Sequence, residues 1–183
     1  MSSEYQFNNP DGVYFVSFAT VQWVDVFTRT MYADIVIDSL KFCQEKKGLV
    51  IHAWCIMANH VHLVVSRKGS YELPAIMRDF KKFTSGQIIK AITDNPQESR
   101  KRWMLWIFSA AGKHNPNNTD YQFWQQGSHP VELVTNFFID QKINYIHQNP
   151  VEAGYVDHGE DYRYSSARSY AGKPGLLEIS FLD

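Results

Sequence analysis

Leu49-Val50-Ile51-His52-Ala53-Trp54-Cys55-Ile56-Met57, then Ala58-Asn59, then His60-Val61-His62-Leu63-Val64-Val65-Ser66: the fold turns on this stretch. Both flanking runs are short and rich in β-branched and aromatic residues, which suits strands. The brief Ala58-Asn59 link between them predicts a hairpin. On the N-terminal side, Thr30 to Lys47 predicts a helix, with Ile35, Leu40 and Phe42 at apolar positions and Gly48 as the stop. Before it, Val13 to Thr20 predicts a strand following the turn signal Asn9-Pro10-Asp11-Gly12. On the C-terminal side, Glu72 to Ile92 predicts a helix, with Ile76, Phe80, Phe83, Ile88 and Ile89 near helical spacing. Gln97 to Ala111 predicts a further helix and Asn115-Pro116-Asn117-Asn118 a loop, so that residues 96–118 read as a helical elaboration. Tyr121 to Gln125 is the candidate fourth strand. Thr135 to Gln148 predicts a helix ended by Pro150, because a residue before proline is driven out of the α region. The order is β-α-β-β-α-β with a helix after it. This predicts an α+β protein with a ferredoxin-like split βαβ core, an antiparallel sheet with helices, and residues 1–183 as a single domain. Such a fold hosts many activities, so function has to be read from particular residues.

Composition excludes several classes. Hydrophobic residues make up 44% of the 183 residues, enough for a substantial core. The longest apolar runs, such as Val13 to Ala19, are far too short to span a membrane. Met1 to Pro10 lacks the charged and apolar regions of a signal peptide. The two cysteines, Cys43 and Cys55, form no CxxC pair and no framework; they suit a reducing cytoplasm, where they serve as small core residues. The net charge of −1 is no signature of a nucleic-acid binder, but charge is unevenly spread. From Arg67 to Lys113 ten basic residues face four acidic ones, whereas acids prevail after Pro150. Arg67, Lys68, Arg78, Lys81 and Lys82 are the candidate DNA contacts; the competing reading is a solvated helix face. Aromatics at 15% supply surfaces for base stacking, although most are needed for a core.

Two segments carry chemistry. Residues two apart in a strand share a face, so His60 and His62 project side by side, their Cα atoms roughly 6.5–7 Å apart. Two imidazoles so placed can converge on one metal ion. Val61, Leu63 and Val65 point the other way, into a core. The alternative is a pair of surface histidines on a half-exposed strand. In the second segment, Ile139, Ile143 and Ile146 form a buried helical stripe. Tyr145 and Asn149 lie roughly 80–100° round from it and, being i and i+4, share a face. His147 lies on another face. The alternative here is a boundary tyrosine and a terminal asparagine cap.

Taken together, Met57-Ala58-Asn59-His60-Val61-His62-Leu63-Val64-Val65, Phe123-Trp124-Gln125-Gln126, Tyr145-Ile146-His147-Gln148-Asn149-Pro150-Val151-Glu152-Ala153-Gly154-Tyr155-Val156 and Asp161-Tyr162-Arg163-Tyr164-Ser165-Ser166 resemble the single-tyrosine HUH transposases, the insertion-sequence-200-like family. The likeness is greatest to the REP-associated tyrosine transposases, whose pieces occur in the same order. The resemblance implies a ferredoxin-like core and metal-dependent cleavage and strand transfer of single-stranded or hairpin DNA through a 5′-phosphotyrosine. It implies Tyr145 as the nucleophile and His60, His62 and Asn149 as ligands of one divalent ion, Mg²⁺ or Mn²⁺. Many insertion-sequence members have Gln at the place of Asn149; Asn resembles the REP-associated branch. The contending function is a non-catalytic, domesticated nucleic-acid-binding or regulatory descendant, which would tolerate loss of any of these four residues. None is lost. A metal-dependent hydrolase of small substrates lacks further acidic ligands at suitable spacing. The sequence leaves monomer or homodimer open.

Overall fold

The computed structural model describes residues 6–115 and 120–182. Its elements in chain order are β1 (Tyr14–Ala19), α1 (Thr30–Lys47), β2 (Leu49–Ile56), β3 (His60–Arg67), α2 (Leu73–Asp94), α3 (Lys101–Lys113), β4 (Val131–Glu132), α4 (Asn136–Glu152) and the single turn α5 (Ala167–Tyr170). The four strands form one antiparallel sheet in the order β2-β3-β1-β4. That is the ferredoxin-like arrangement, with β3 inserted between the two strands that α1 connects. Pro116 to Asn118, in the expected loop, lie outside the described residues.

Strand parity sends side chains to two different layers. Tyr14, Val16, Phe18, Val61, Leu63 and Val65 face α1 and α2 in the main core. Phe15, Cys55, Met57 and Val64 face the other way, where Ile143 and Ile146 of α4 cover them and Ile139 packs at the margin. His62 lies on this second face, opposite Ser17 of β1 and Cys55 of β2. In β2 a bulge at His52, between the pairs Ile51–Val65 and Ala53–Val64, switches parity. It puts Ile51, Trp54 and Ile56 in the main core while Ala53 and Cys55 join the α4 side.

Helix α1 stops at Gly48, whose φ of 70° is left-handed and whose Cβ, if present, would lie 1.9 Å from the Lys68 carbonyl oxygen. Helix α4 starts at Thr135, whose hydroxyl accepts from the Phe138 N–H at 3.3 Å.

Several expectations need correction. The fourth strand is Val131–Glu132, paired with Phe15 and Tyr14, and not Tyr121 to Gln125. Residues 121–125 do approach the same sheet edge, through a bridge between Thr20 and Trp124 and a bond from the Gln125 N–H to Ala19 O. Gly127 at φ 81°, His129 at φ 42° and Pro130 then break the run, so pairing resumes only at Val131. Phe123 and Trp124 are buried and plug the core. Helix α4 runs through Pro150 to Glu152. So close to the helix end, the proline forfeits one backbone bond, and its ring is buried. Helix α3 begins at Lys101, four residues later than expected, because 95–100 form a turn around a buried Glu98. Phe42 and Phe83 are exposed, on the rim of a groove between α1 and α2. Tyr162, Tyr164 and Tyr170, after α4, are tied to the body of the fold. Their hydroxyls donate to Ile56 O, Asp34 Oδ1 and His52 O, and Cys55 bridges Ser165 along the outer edge of β2. Both cysteines are free and buried. No helix among the described residues is long and apolar enough to cross a membrane.

Candidate active site

His60 opens β3 directly after the hairpin turn, and His62 follows on the same face, with ring centroids 4.7 Å apart. The orientation of His60 is fixed from behind. Asn59 Nδ2 donates to Asp25 Oδ1 at 2.7 Å and, more weakly, to Trp23 O at 3.3 Å. A carboxylate and a carbonyl can only accept, so the amide oxygen of Asn59 is the atom turned to His60, 2.7 Å from Nδ1. His60 Nδ1–H therefore donates, and the lone pair on Nε2 is left free.

His62 is buried and stacks on Phe15 at 5.5 Å. Burial first, then repulsion from His60 and Lys142, pushes its pKa down to about 3, and burial lowers that of His60 as well. Both rings are neutral at pH 7, the form that donates a lone pair to a metal. Neither nitrogen of His62 has a hydrogen-bond partner, although both are shielded from solvent. A buried polar atom left so costs about 1–3 kcal/mol.

Helix α4 lies across this face. Tyr145 is 44% exposed, and its ring meets His62 edge-on at 5.3 Å and Phe15 at 6.2 Å. Asn149, one turn on, has its amide nitrogen buried and unpartnered. A half-turn of the carboxamide exchanges that nitrogen for oxygen, a hard donor suited to Mg²⁺ or Mn²⁺. Among the described residues no three His, Cys, Asp or Glu side chains cluster, so a third protein ligand beside the histidine pair would be of another type, such as an amide. Unsatisfied imidazole nitrogens and an unsatisfied amide on facing elements fit a divalent ion.

His147 stays apart, as its helical face implies. Its Nε2 is 2.8 Å from Ser166 Oγ and its ring packs on Tyr170. Lys142, which the sequence reading passed over, stands at the site. Its ammonium lies 5.4 Å from the Tyr145 ring centroid and 4.7 Å from that of Phe15. Its i, i+3 spacing to Tyr145 was the available signal. Asp25 and Trp23 had none, since they come from a loop remote in sequence.

The expected basic face is dispersed. Arg67 ends the strand that His60 begins, roughly 23 Å away at the usual rise. It donates to Pro10 O and Gly69 O and pairs with Asp11 and Glu72. Arg78 pairs with Asp79. Lys81 donates to Gln125 O and Gly127 O, and burial lowers its pKa to about 8. Lys68 and Lys82 are exposed.

The profile of a family described as "Transposase IS200 like" matches residues 14–110, more than half of the chain. The chain belongs to the IS200-like transposase family. Its fold is similar to that of a REP-associated tyrosine transposase solved with a REP hairpin bound, at 17% identity and a TM-score of 0.64, covering 100% of this chain and 94% of that one. A Deinococcus radiodurans chain described as a candidate transposase is 19% identical, with a TM-score of 0.47 and coverage of 74% and 88%. No curated protein matches the sequence. The family match ends before α4, so the placing of Tyr145 and Asn149 rests on the geometry above.

Proposed function

We propose that this transposase-family chain cleaves and rejoins single-stranded DNA through a 5′-phosphotyrosine, with Tyr145 as nucleophile and His60, His62 and Asn149 as ligands of Mg²⁺ or Mn²⁺. The observation that carries the reading is the edge-on contact of Tyr145 with a buried His62 whose two nitrogens lack partners. The ion, when bound, would neutralise charge on a non-bridging phosphate oxygen.

The protein's own groups divide the remaining work. Tyr145 Oη attacks phosphorus, forming the Oη–P bond as the P–O3′ bond breaks. The departing 3′ oxygen takes up a proton to become a hydroxyl, and the phenol proton passes to solvent. Attack by another 3′ hydroxyl on the phosphotyrosine reverses the step and rejoins strands. The partly exposed Tyr145 lets a phosphate approach from solvent, while helix α4 holds the ring against His62. Lys142 sets a positive charge beside the incoming phosphate. Unpaired or hairpin DNA is the favoured substrate, because an exposed backbone reaches such a site more readily than one in a duplex. The hairpin held by the similar structure supports this choice.

Incubation with hairpin-bearing single strands and Mn²⁺ should give a denaturation-resistant protein–DNA adduct that peptide mapping places on Tyr145. Tyr145→Phe removes only the attacking atom, so it should bind DNA and Mn²⁺ as the wild type does while forming no adduct. An adduct on another tyrosine would refute the assignment.

A further inference from the structure

Trp23 is held in a conformation that few side chains adopt, and its indole is left in solvent. Gln22 and Trp23 have φ of 51° and 55°, two successive non-glycine residues in the left-handed region. Such outliers persist only where the surroundings over-determine them, and they gather at functional sites. Here the surroundings are explicit. Val21 and Val24 are buried on either side and anchor the turn. The Trp23 N–H donates to Thr20 O, and the Thr20 hydroxyl donates to Val24 O at 2.8 Å. Asn59 Nδ2 reaches Trp23 O, and Arg100 donates to Asp25 O at 2.7 Å. All this restraint presents a tryptophan that is 57% exposed, the opposite of what burial of apolar surface would select.

What the indole adjoins gives it a use. Its ring lies 5.8 Å from that of His60, crossing at 74°. Trp23, His60, His62 and Tyr145 thus form an unbroken line of rings, with the histidine pair between the indole and the tyrosine. We infer that the Trp23 indole is a stacking platform for one unpaired nucleobase next to the phosphate handled at the histidine pair. The inference rests on the DNA-cleaving reading given above. A base offers a flat π-face of matching size, and an uncharged, rigid indole binds it with little sequence preference. A duplex would not fit the platform, because stacked neighbours cover both faces of each base. The same Asn59 links this platform to His60, so base seating and imidazole orientation share one support.

The test is an abasic scan. A labelled single strand and copies with one base removed at successive positions are bound to wild-type protein, Trp23→Ala, Trp23→Phe and Trp106→Ala in Mn²⁺. Trp106 is 68% exposed on α3 and serves as the control for exposed aromatics at large. Stacking on an aromatic side chain supports a loss of about tenfold or more in affinity for Trp23→Ala. Trp23→Phe should recover most of it, and Trp106→Ala should match wild type. One position near the cleaved bond should weaken wild-type binding when made abasic, and become silent in Trp23→Ala. Unchanged sensitivity at that position would overturn the platform, as would an equal loss in Trp106→Ala. Wild-type protein that cleaves with Trp23→Ala indistinguishable from it removes the platform and leaves the cleavage reading standing. Wild-type protein that neither binds nor cleaves removes both.

Discussion

Asn59 stands between a carboxylate and an imidazole, and the order of donors along that line is forced. Asp25 can only accept, so Asn59 gives it a hydrogen and turns its oxygen to His60 Nδ1. This is the kind of support that fixes the tautomer of a metal-binding histidine and sharpens the basicity of its other nitrogen. Asn59→Ala should therefore weaken Mn²⁺ binding by about tenfold or more in calorimetry. The side chain is partly exposed, so thermal stability should fall by no more than about 1 kcal/mol. Mn²⁺ affinity equal to wild type would show that His60 needs no such support. The sequence made some of this site legible and hid the rest. His60 with His62, and Tyr145 with Asn149, are visible because strand and helix periods fix which residues share a face. The Asp25–Asn59–His60 line and the seat of Trp23 depend on where a distant loop comes to rest and on a left-handed backbone pair, which no local period encodes.

The turn that leads into α3 is held by charge, while α3 itself buries Met104, Ile107 and Phe108 in the core. Glu98 is buried in the turn before it; Arg29, just before α1, donates to Glu98 Oε2 at 2.7 Å, and Arg100 to Oε1 at 3.1 Å. Tyr32 donates to the same carboxylate. Burial opposes the charge on Glu98, but the bonds and charges of Arg100 and Arg29 prevail and hold its pKa down to about 2. Glu98→Gln should cost about 2 kcal/mol in urea unfolding, less than a fully buried pair because both arginines are about one-third exposed. Loss of under 0.5 kcal/mol, on the order of a neutral surface change, would mean that α3 is held by its apolar face alone. Local signals served these elements unequally. The bounds of α1 were readable because Gly48 marks the end in sequence. β4 was not, since a two-residue strand exists only by pairing with Tyr14 and Phe15. Pro150 misled because the bias of the residue before proline away from the α region is only a tendency, which the packing of a buried proline ring in the last turn overrides.

At the scale of the whole molecule, buried neutral histidines couple the two faces of the sheet to pH. His52 sits in the β2 bulge, its Nδ1 2.6 Å from Ser180 O and its Nε2 2.8 Å from Ser66 Oγ, tying the C-terminal segment to the sheet. His147 ties α4 to Ser166, and His62 lies against Tyr145 of α4 with His60 beside it. Burial lowers the pKa of each, of His147 to about 4 and of His62 to about 3. In the unfolded chain these rings titrate near the ordinary value of about 6.5. Below that pH the unfolded state binds protons that the folded state refuses, so stability falls as pH falls. Their contribution is complete above about pH 6.5 and is lost progressively toward pH 4 and below, well before Glu98 is protonated. Each pKa unit is worth about 1.4 kcal/mol, so His62 and His147 together account for several kcal/mol toward the acid end of the window, and His52 and His60 act in the same direction. Metal-free protein should lose more than about 5 °C in Tm between pH 7 and pH 5, with proton uptake on unfolding measurable by calorimetry. If the proposed metal site is right, Mn²⁺ should raise Tm at pH 7.5 by binding the folded chain, and do so less at pH 5.5, where protons compete for the histidines. His147→Gln keeps a hydrogen-bonding group toward Ser166 and cannot titrate, so it should flatten the metal-free pH profile while leaving the Mn²⁺ increment intact. A profile equally steep in that variant would place the acid sensitivity elsewhere than in the tie between α4 and the C-terminal segment.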